Sequence, residues 1–160
     1  MKKIFTLLIA ATIVAMTFAS NAESTLANSS FQHESEISNI YEETTIEILN
    51  INTKTLLKAK SSSSSISGRK TTSYKNSSGK ILWSVSVTAT FTYNGKTAVC
   101  TASSVSTSIS DSSWSISSSG ASKSGASATA TATAKKYYNS KSTLVSTSVT
   151  LTCSKTGSLN

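Results

Sequence analysis

Few residues in this 160-residue chain could do chemistry. There are two cysteines, Cys100 and Cys153, one histidine, His33, and one aspartate, Asp111. General acid–base catalysis needs two titratable groups with separated pKa values. Beyond residue 50 the chain offers Asp111 as its only carboxylate and no imidazole, while His33 sits among glutamates near the start. The 37 serines and 24 threonines supply no nucleophile without a base to activate one. No Gly-rich phosphate loop and no Cys/His spacing suited to a metal is present. The expectation is a protein that is not an enzyme, with no catalytic residues, no metal and no cofactor.

Export makes a second kind of chemistry available. Lys2 and Lys3 precede an apolar stretch from Ile4 to Phe18, and Ser20-Asn21-Ala22 then supplies a small-x-small cut site before Glu23. That stretch is short for a membrane span, and no cysteine near the cut could carry a lipid. Residues 1–22 therefore read as a signal peptide on a secreted, extracellular protein with no stable membrane anchor. In an oxidising compartment two cysteines on the inward parity of their strands are expected to pair. A Cys100–Cys153 disulfide would close a loop of roughly fifty residues and contribute about 4 kcal/mol in chain-entropy terms.

Binding chemistry would come from lysine and tyrosine. Lys135, Lys136, Tyr137 and Tyr138 end one alternating segment, and Tyr93 and Lys96 flank Asn94-Gly95 at the end of another. Such a basic surface attracts polyanions, and exposed tyrosine rings stack on sugars. An anionic cell-wall polymer or a glycan is the expected partner. Arg69 is the only arginine, so bidentate recognition is nearly absent and no specific nucleic-acid binding is expected. The function these residues imply is a secreted, non-catalytic binding or surface-interaction module of a Gram-positive bacterium. The alternative is a membrane-active or pore-forming protein, because Trp83–Ile109 reads as a hairpin with one apolar and one hydroxyl face.

The elements that hold these residues divide by charge. Six glutamates and no base lie between residues 23 and 50, a formal charge of −6. From Ile51 onward 13 bases face Asp111 alone, or +12. Residues 23–60 are thus an acidic leader or pro-segment that could shield the basic body. Ile37, Ile40, Tyr41, Ile48 and Ile51 fall near helical spacing there. The β-branched Thr44 and Thr45 favour a strand from Thr44 to Ile51 instead. Residues 61–68, opening with five serines, read as a linker.

The body, residues 69–157, reads as all-β. Trp83, Val85, Val87, Ala89, Phe91 and Tyr93 alternate with Ser84, Ser86, Thr88, Thr90 and Thr92. Asn94-Gly95 predicts a two-residue hairpin turn, a parity flip at Ser103-Ser104 predicts a bulge, and Gly120–Gly125 predicts a turn. Ala126, Ala128, Ala130, Ala132 and Ala134 form a small-residue face that leaves room for Trp83, Phe91 and Trp114 opposite. Thr129, Thr131 and Thr133 make a hydroxyl row behind it. Val145, Thr147, Val149, Leu151 and Cys153 share the last apolar face. Five or six such strands predict a small antiparallel β-sandwich. Cys100, Trp114 and Cys153 match the Cys–Trp–Cys order of immunoglobulin-like architecture, but the chain ends too soon after Cys153 for a proper last strand.

Five segments carry a resemblance: Phe91-Thr-Tyr-Asn-Gly95, Cys100-Thr, Asp111-Ser-Ser-Trp114-Ser, Ala121-Ser-Lys-Ser-Gly125 and Val149-Thr-Leu-Thr-Cys153. As a set, over about half the chain, they resemble a group of small secreted Ser/Thr-rich β proteins of Gram-positive, mostly clostridial, bacteria. The resemblance implies export and a β fold with a paired cysteine. It brings no activity with it.

Overall fold

In the computed structural model, residues 39–53 and 63–160 are described. Residues 1–22, expected as a signal peptide, most of the expected acidic leader and His33 lie outside them. Seven strands follow in order: β1 (Tyr41–Thr53), β2 (Ser64–Lys75), β3 (Ile81–Tyr93), β4 (Ala98–Ile109), β5 (Trp114–Ser124), β6 (Ser127–Tyr138) and β7 (Lys141–Thr152). They form two antiparallel sheets, β1-β2-β3-β4 and β5-β6-β7. The expected β-sandwich is what the chain builds. The helical spacing in the leader yields to a strand because Thr44, Thr45, Ile46 and Ile48 are stiff in a helix and β2 offers a partner along its whole length. The sheet therefore begins at Tyr41, not at residue 69. Ser64 to Gly68, expected as linker, belong to β2.

The core is the face shared by β3 and β6. Trp83, Val85, Val87 and Phe91 of β3 are fully buried, as are Ala128, Ala130 and Ala134 of β6. β3 packs over β6, and β7 lies beneath β2 and β3. The alanines of β6 face Trp83 and Phe91 on β3, as the alternation predicted, whereas Trp114 stands not opposite them but on β5 of their own sheet. Tyr74 stacks flat on Trp83, with ring centroids 4.0 Å apart, and Trp114 meets Trp83 at 6.1 Å. Two polar atoms in this stack, the Tyr74 hydroxyl and Trp83 Nε1, have no hydrogen-bond partner among the described residues.

Turn chemistry departs from the sequence expectation at three places. The β3–β4 connection spans Asn94 to Thr97, not two residues. Asn94 Oδ1 accepts from the N–H groups of Lys96 and Thr97, at 3.0 and 2.8 Å, and only Gly95 takes positive φ, at 81°. The register irregularity in β4 falls between Cys100 and Ala102, opposite Thr90 and Phe91, so the extra residue is Thr101. The predicted turn at Gly120–Gly125 shrinks to Gly125-Ala126, because β5 runs on to Ser124. The β6–β7 hairpin uses Asn139 and Ser140, both at positive φ, matching a tight two-residue turn.

Candidate binding surface

Both outer faces of the sandwich are paved with hydroxyls. On the second sheet Thr129, Thr131 and Thr133 of β6 stand between Ser118, Gly120 and Ser122 of β5 and Ser146, Ser148 and Thr150 of β7. The row read from one strand is thus the centre of a three-strand face. Its members bridge strands, with Thr129 Oγ1 2.9 Å from Thr150 Oγ1 and Thr133 Oγ1 3.0 Å from Ser146 Oγ. The first sheet repeats the pattern. Ser67 bonds Thr90 at 2.9 Å, Thr71 bonds Ser86 at 2.8 Å, and Arg69 Nε donates to Thr88 Oγ1 at 3.2 Å.

The predicted binding residues do not converge on one place. Lys135, Lys136, Tyr137 and Tyr138 gather at the β6–β7 hairpin and are joined by Lys141, which pairs with Tyr138. Trp114 pairs with Lys136 and touches Trp83, so this cluster lies at the Trp83 end of the sandwich. Tyr93 and Lys96 lie at the other end of β3, ten residues or roughly 33 Å away. Tyr93 is also committed to packing, since a Cβ built on Gly157 would meet its ring at 2.5 Å. The C-terminal tail is what sequence reasoning missed. Ser154 to Asn160 turns back, Gly95 N–H donates to Lys155 O at 2.9 Å, and Thr152 and Asn160 exchange two backbone bonds. The only signal for it was Gly157, which takes a φ of 90°.

At the hairpin end, alternation aims Lys135 and Tyr137 out from the hydroxyl face, with Lys135 Nζ 4.8 Å from the Tyr137 ring centroid. Lys136 points the other way, 6.0 Å from the Trp114 ring. Tyr137 is 54% exposed and Leu144, paired with Lys135, is 60% exposed. Asp111, a carboxylate near this end, is already engaged. Asp111 Oδ1 accepts from the hydroxyl and N–H of Ser113, at 2.7 and 2.9 Å, and Oδ2 lies 3.6 Å from Lys80 Nζ. The Ser113 bonds, with Lys80 beside them, hold the Asp111 carboxyl below the usual carboxylate range. Its negative charge is therefore fixed in a turn.

The expected Cys100–Cys153 bond is not formed in this structure. Cys100 and Cys153 are two separate, buried thiols. Each donates to a backbone carbonyl, Cys100 to Ala102 at 3.3 Å and Cys153 to Ser154 at 3.4 Å. The backbones are nonetheless neighbours, since the two amides bond to the adjacent carbonyls of Gly125 and Ala126. Burial pushes both thiols up, and the nearby Cys100 raises Cys153 further, whereas Lys123 pulls Cys100 partly back. Neutral thiols are poor nucleophiles. No cluster of His, Cys, Asp or Glu able to hold a metal exists among the described residues. No helix among them is long and apolar enough to cross a membrane. No family model, curated protein or solved structure matches the chain.

Proposed function

We propose that the mature chain is an exported, non-catalytic binding module whose basic hairpin end engages an anionic, hydroxyl-rich polymer, such as a cell-wall teichoic acid or a charged glycan. The observation that carries this reading is the position of Lys135, Lys136, Tyr137 and Lys141. They sit at the end of a three-strand hydroxyl face, beside a carboxylate already tied into its own turn. Lysines there meet phosphate or carboxylate groups, Tyr137 offers a ring for a sugar, and the hydroxyl rows offer donors and acceptors along an extended chain. Exposed lysine contacts near an anionic surface contribute about 1 kcal/mol each, so replacing all three lysines by glutamine should weaken binding roughly 100-fold at low salt. The test is retention on immobilised poly(glycerol phosphate) across salt concentration, with a neutral glucan as control. Equal retention of the triple variant would refute the assignment of this surface.

In the same reading residues 1–22 direct export and are removed. Outside the cell the two thiols each give up a proton and an electron, an external disulfide accepts both, and one Cys100–Cys153 bond forms. The shared anchoring at Gly125-Ala126 supports this. A mature protein about two mass units lighter than its reduced form would bear it out. The pore-forming alternative has less behind it, because releasing the Trp83–Ile109 hairpin would uncover Trp83, Val85, Val87 and Phe91 together. Dye release from anionic liposomes would revive it.

A further inference from the structure

The first sheet is one strand wider than the second, and the extra strand is β1. β7 lies beneath β2 and β3, and every β1 side chain from Tyr41 to Asn52 is exposed. Pairing with β2 sets which side faces the second sheet. Glu42, Thr44, Ile46, Ile48 and Ile51 lie opposite Tyr74, Thr72, Lys70, Gly68 and Ile66, on the inward face. Ile46, Ile48 and Ile51 thus form an apolar row, 44, 56 and 54% exposed, on the core side of a strand that no strand of the second sheet underlies among the described residues, while Leu159 of the tail comes against the neighbouring Gly68. Beside the space below β1 runs the outer edge of β7. The tail pairs with that edge only at Thr152. By alternation the backbone groups of Leu144, Ser146, Ser148 and Thr150 point outward there. The buried Tyr74 hydroxyl lies on this same side, beside Glu42 and Thr147.

We propose that the space under β1 is filled by β1 of a second copy of this chain, in a two-fold dimer whose axis runs along the strands. Rotation about that axis exchanges the two layers. Each β1 then lies in the plane of the other copy's second sheet, beside its β7 edge, and the two isoleucine rows meet face to face. Two complementarities favour a second copy over another partner. β1 carries Glu42, Glu43 and Glu47 and no base, whereas the β6–β7 end carries Lys135, Lys136 and Lys141. The same rotation sets the start of β1 beside the start of β7, bringing those charges together. It also brings exposed Tyr41, at 47%, toward exposed Leu144. The contact is small. The part of β1 clear of the tail, Tyr41 to Asn50, is roughly 30 Å long and, covered on one face and one edge, hides roughly 450 Å² per copy, which belongs to weak, concentration-dependent dimers. The inference does not depend on polymer binding.

The test is sedimentation of the full mature chain over a range of concentration, with dissociation on the order of 10–100 µM expected. Ile46→Lys and Ile48→Lys lie on an exposed strand and should keep the native circular dichroism while sedimenting as monomers throughout. Because the axis brings residue 48 against its own copy, Ile48→Cys should form a disulfide-linked dimer on mild oxidation, while Thr45→Cys, on the opposite face, should not. A wild-type chain that stays monomeric at millimolar concentration overturns the proposal. So does a dimer indifferent to both lysine variants. A monomer whose Ile46–Ile48 amides resist hydrogen exchange also overturns it, and would assign the space to another segment of the same chain.

Discussion

Replacing Ala130 by leucine tests whether the small-residue face sets the sheet spacing. Ala130 is fully buried, as are Ala128 and Ala134, and the strand above presents fully buried Val85 and Val87. In an interior packed to the usual density, three added carbons must displace neighbours. Either the side chain leaves its preferred rotamer or the sheets part, and such overpacking costs about 1–3 kcal/mol. Ala130 is paired on both sides, by Ala121 of β5 and Val149 of β7, in the central strand of its sheet, so the upper part of that range applies, about 2–3 kcal/mol. With a urea dependence of about 2 kcal/mol per molar, the unfolding midpoint should fall by roughly 1–1.5 M. The neighbouring Thr131 points to solvent, and Thr131→Leu should move the midpoint by less than about 0.3 M. Tryptophan fluorescence from Trp83 and Trp114 reads both transitions. If Ala130→Leu unfolds with the wild type, the alanine face is not what lets β3 and β6 close, and the packing account is wrong.

Tyr74 supplies an alkaline signature. Burial, opposed by Thr147 and aided by Glu42, pushes its hydroxyl from 10.0 up to about 12. The phenol stays neutral in the fold while the unfolded chain ionises first. The associated stability is therefore complete below pH 10 and is lost as pH rises toward 12, up to about 2–3 kcal/mol. Tyr74→Phe should flatten that decline without cost at neutral pH, since the lost hydroxyl had no hydrogen-bond partner; urea midpoints at pH 8 and 11 check it. The reduced thiols of Cys100 and Cys153 should react slowly with an aromatic disulfide reagent until urea unfolds the chain, because burial raises both; rapid native reaction would contradict their placement. A chain beginning at Ile40 should keep the wild-type midpoint, while one beginning at Ser61 loses β1, exposes the edge of β2 and should unfold earlier and associate, as urea titration and sedimentation would show.

What the sequence made legible was whatever period-2 alternation controls. β3, β6 and β7 were readable because burial on one face writes the pattern directly, and the alanine face of β6 was read correctly as a spacer. β1 and β2 were harder for the same reason in reverse. β1 has no covered face, so its isoleucines fall at spacings that also suit a helix. β2 opens with serines and puts Gly68 on the inward face, where a Cβ would come within 2.3 Å of Leu159. A side chain there would displace the end of Leu159 and crowd the Glu47 carbonyl, and its absence made a buried strand look like a linker. The binding residues were legible as types but not as a site. Tyr93 and Lys96 resemble Tyr137 and Lys135 in sequence, yet a single long strand separates them, and the tail that occupies Tyr93 carries almost no pattern of its own.

The charge split gains a different meaning from the same geometry. An acidic leader and a basic body suggested a detachable shield, but Glu42, Glu43 and Glu47 are built into sheet pairing along β1. Register in a strand is ordinarily fixed by which face must be buried, and β1 buries neither. Charge is the remaining device. Glu47 stands directly opposite Arg69, 3.8 Å away, and Glu43 reaches diagonally to Lys75, which its carboxylate hydrogen-bonds. Exposed pairs contribute only about 0–1 kcal/mol each, too little to hold the strand but enough to choose between alignments. A slip of one residue would turn Glu43 and Glu47 to the inward face and Ile46 and Ile48 to the outward one. Within one copy the acids are therefore better understood as the alignment of an edge strand than as a detachable mask, the pairs of Glu47 and Glu43 being Arg69 and Lys75 and not the lysines of the β6–β7 hairpin.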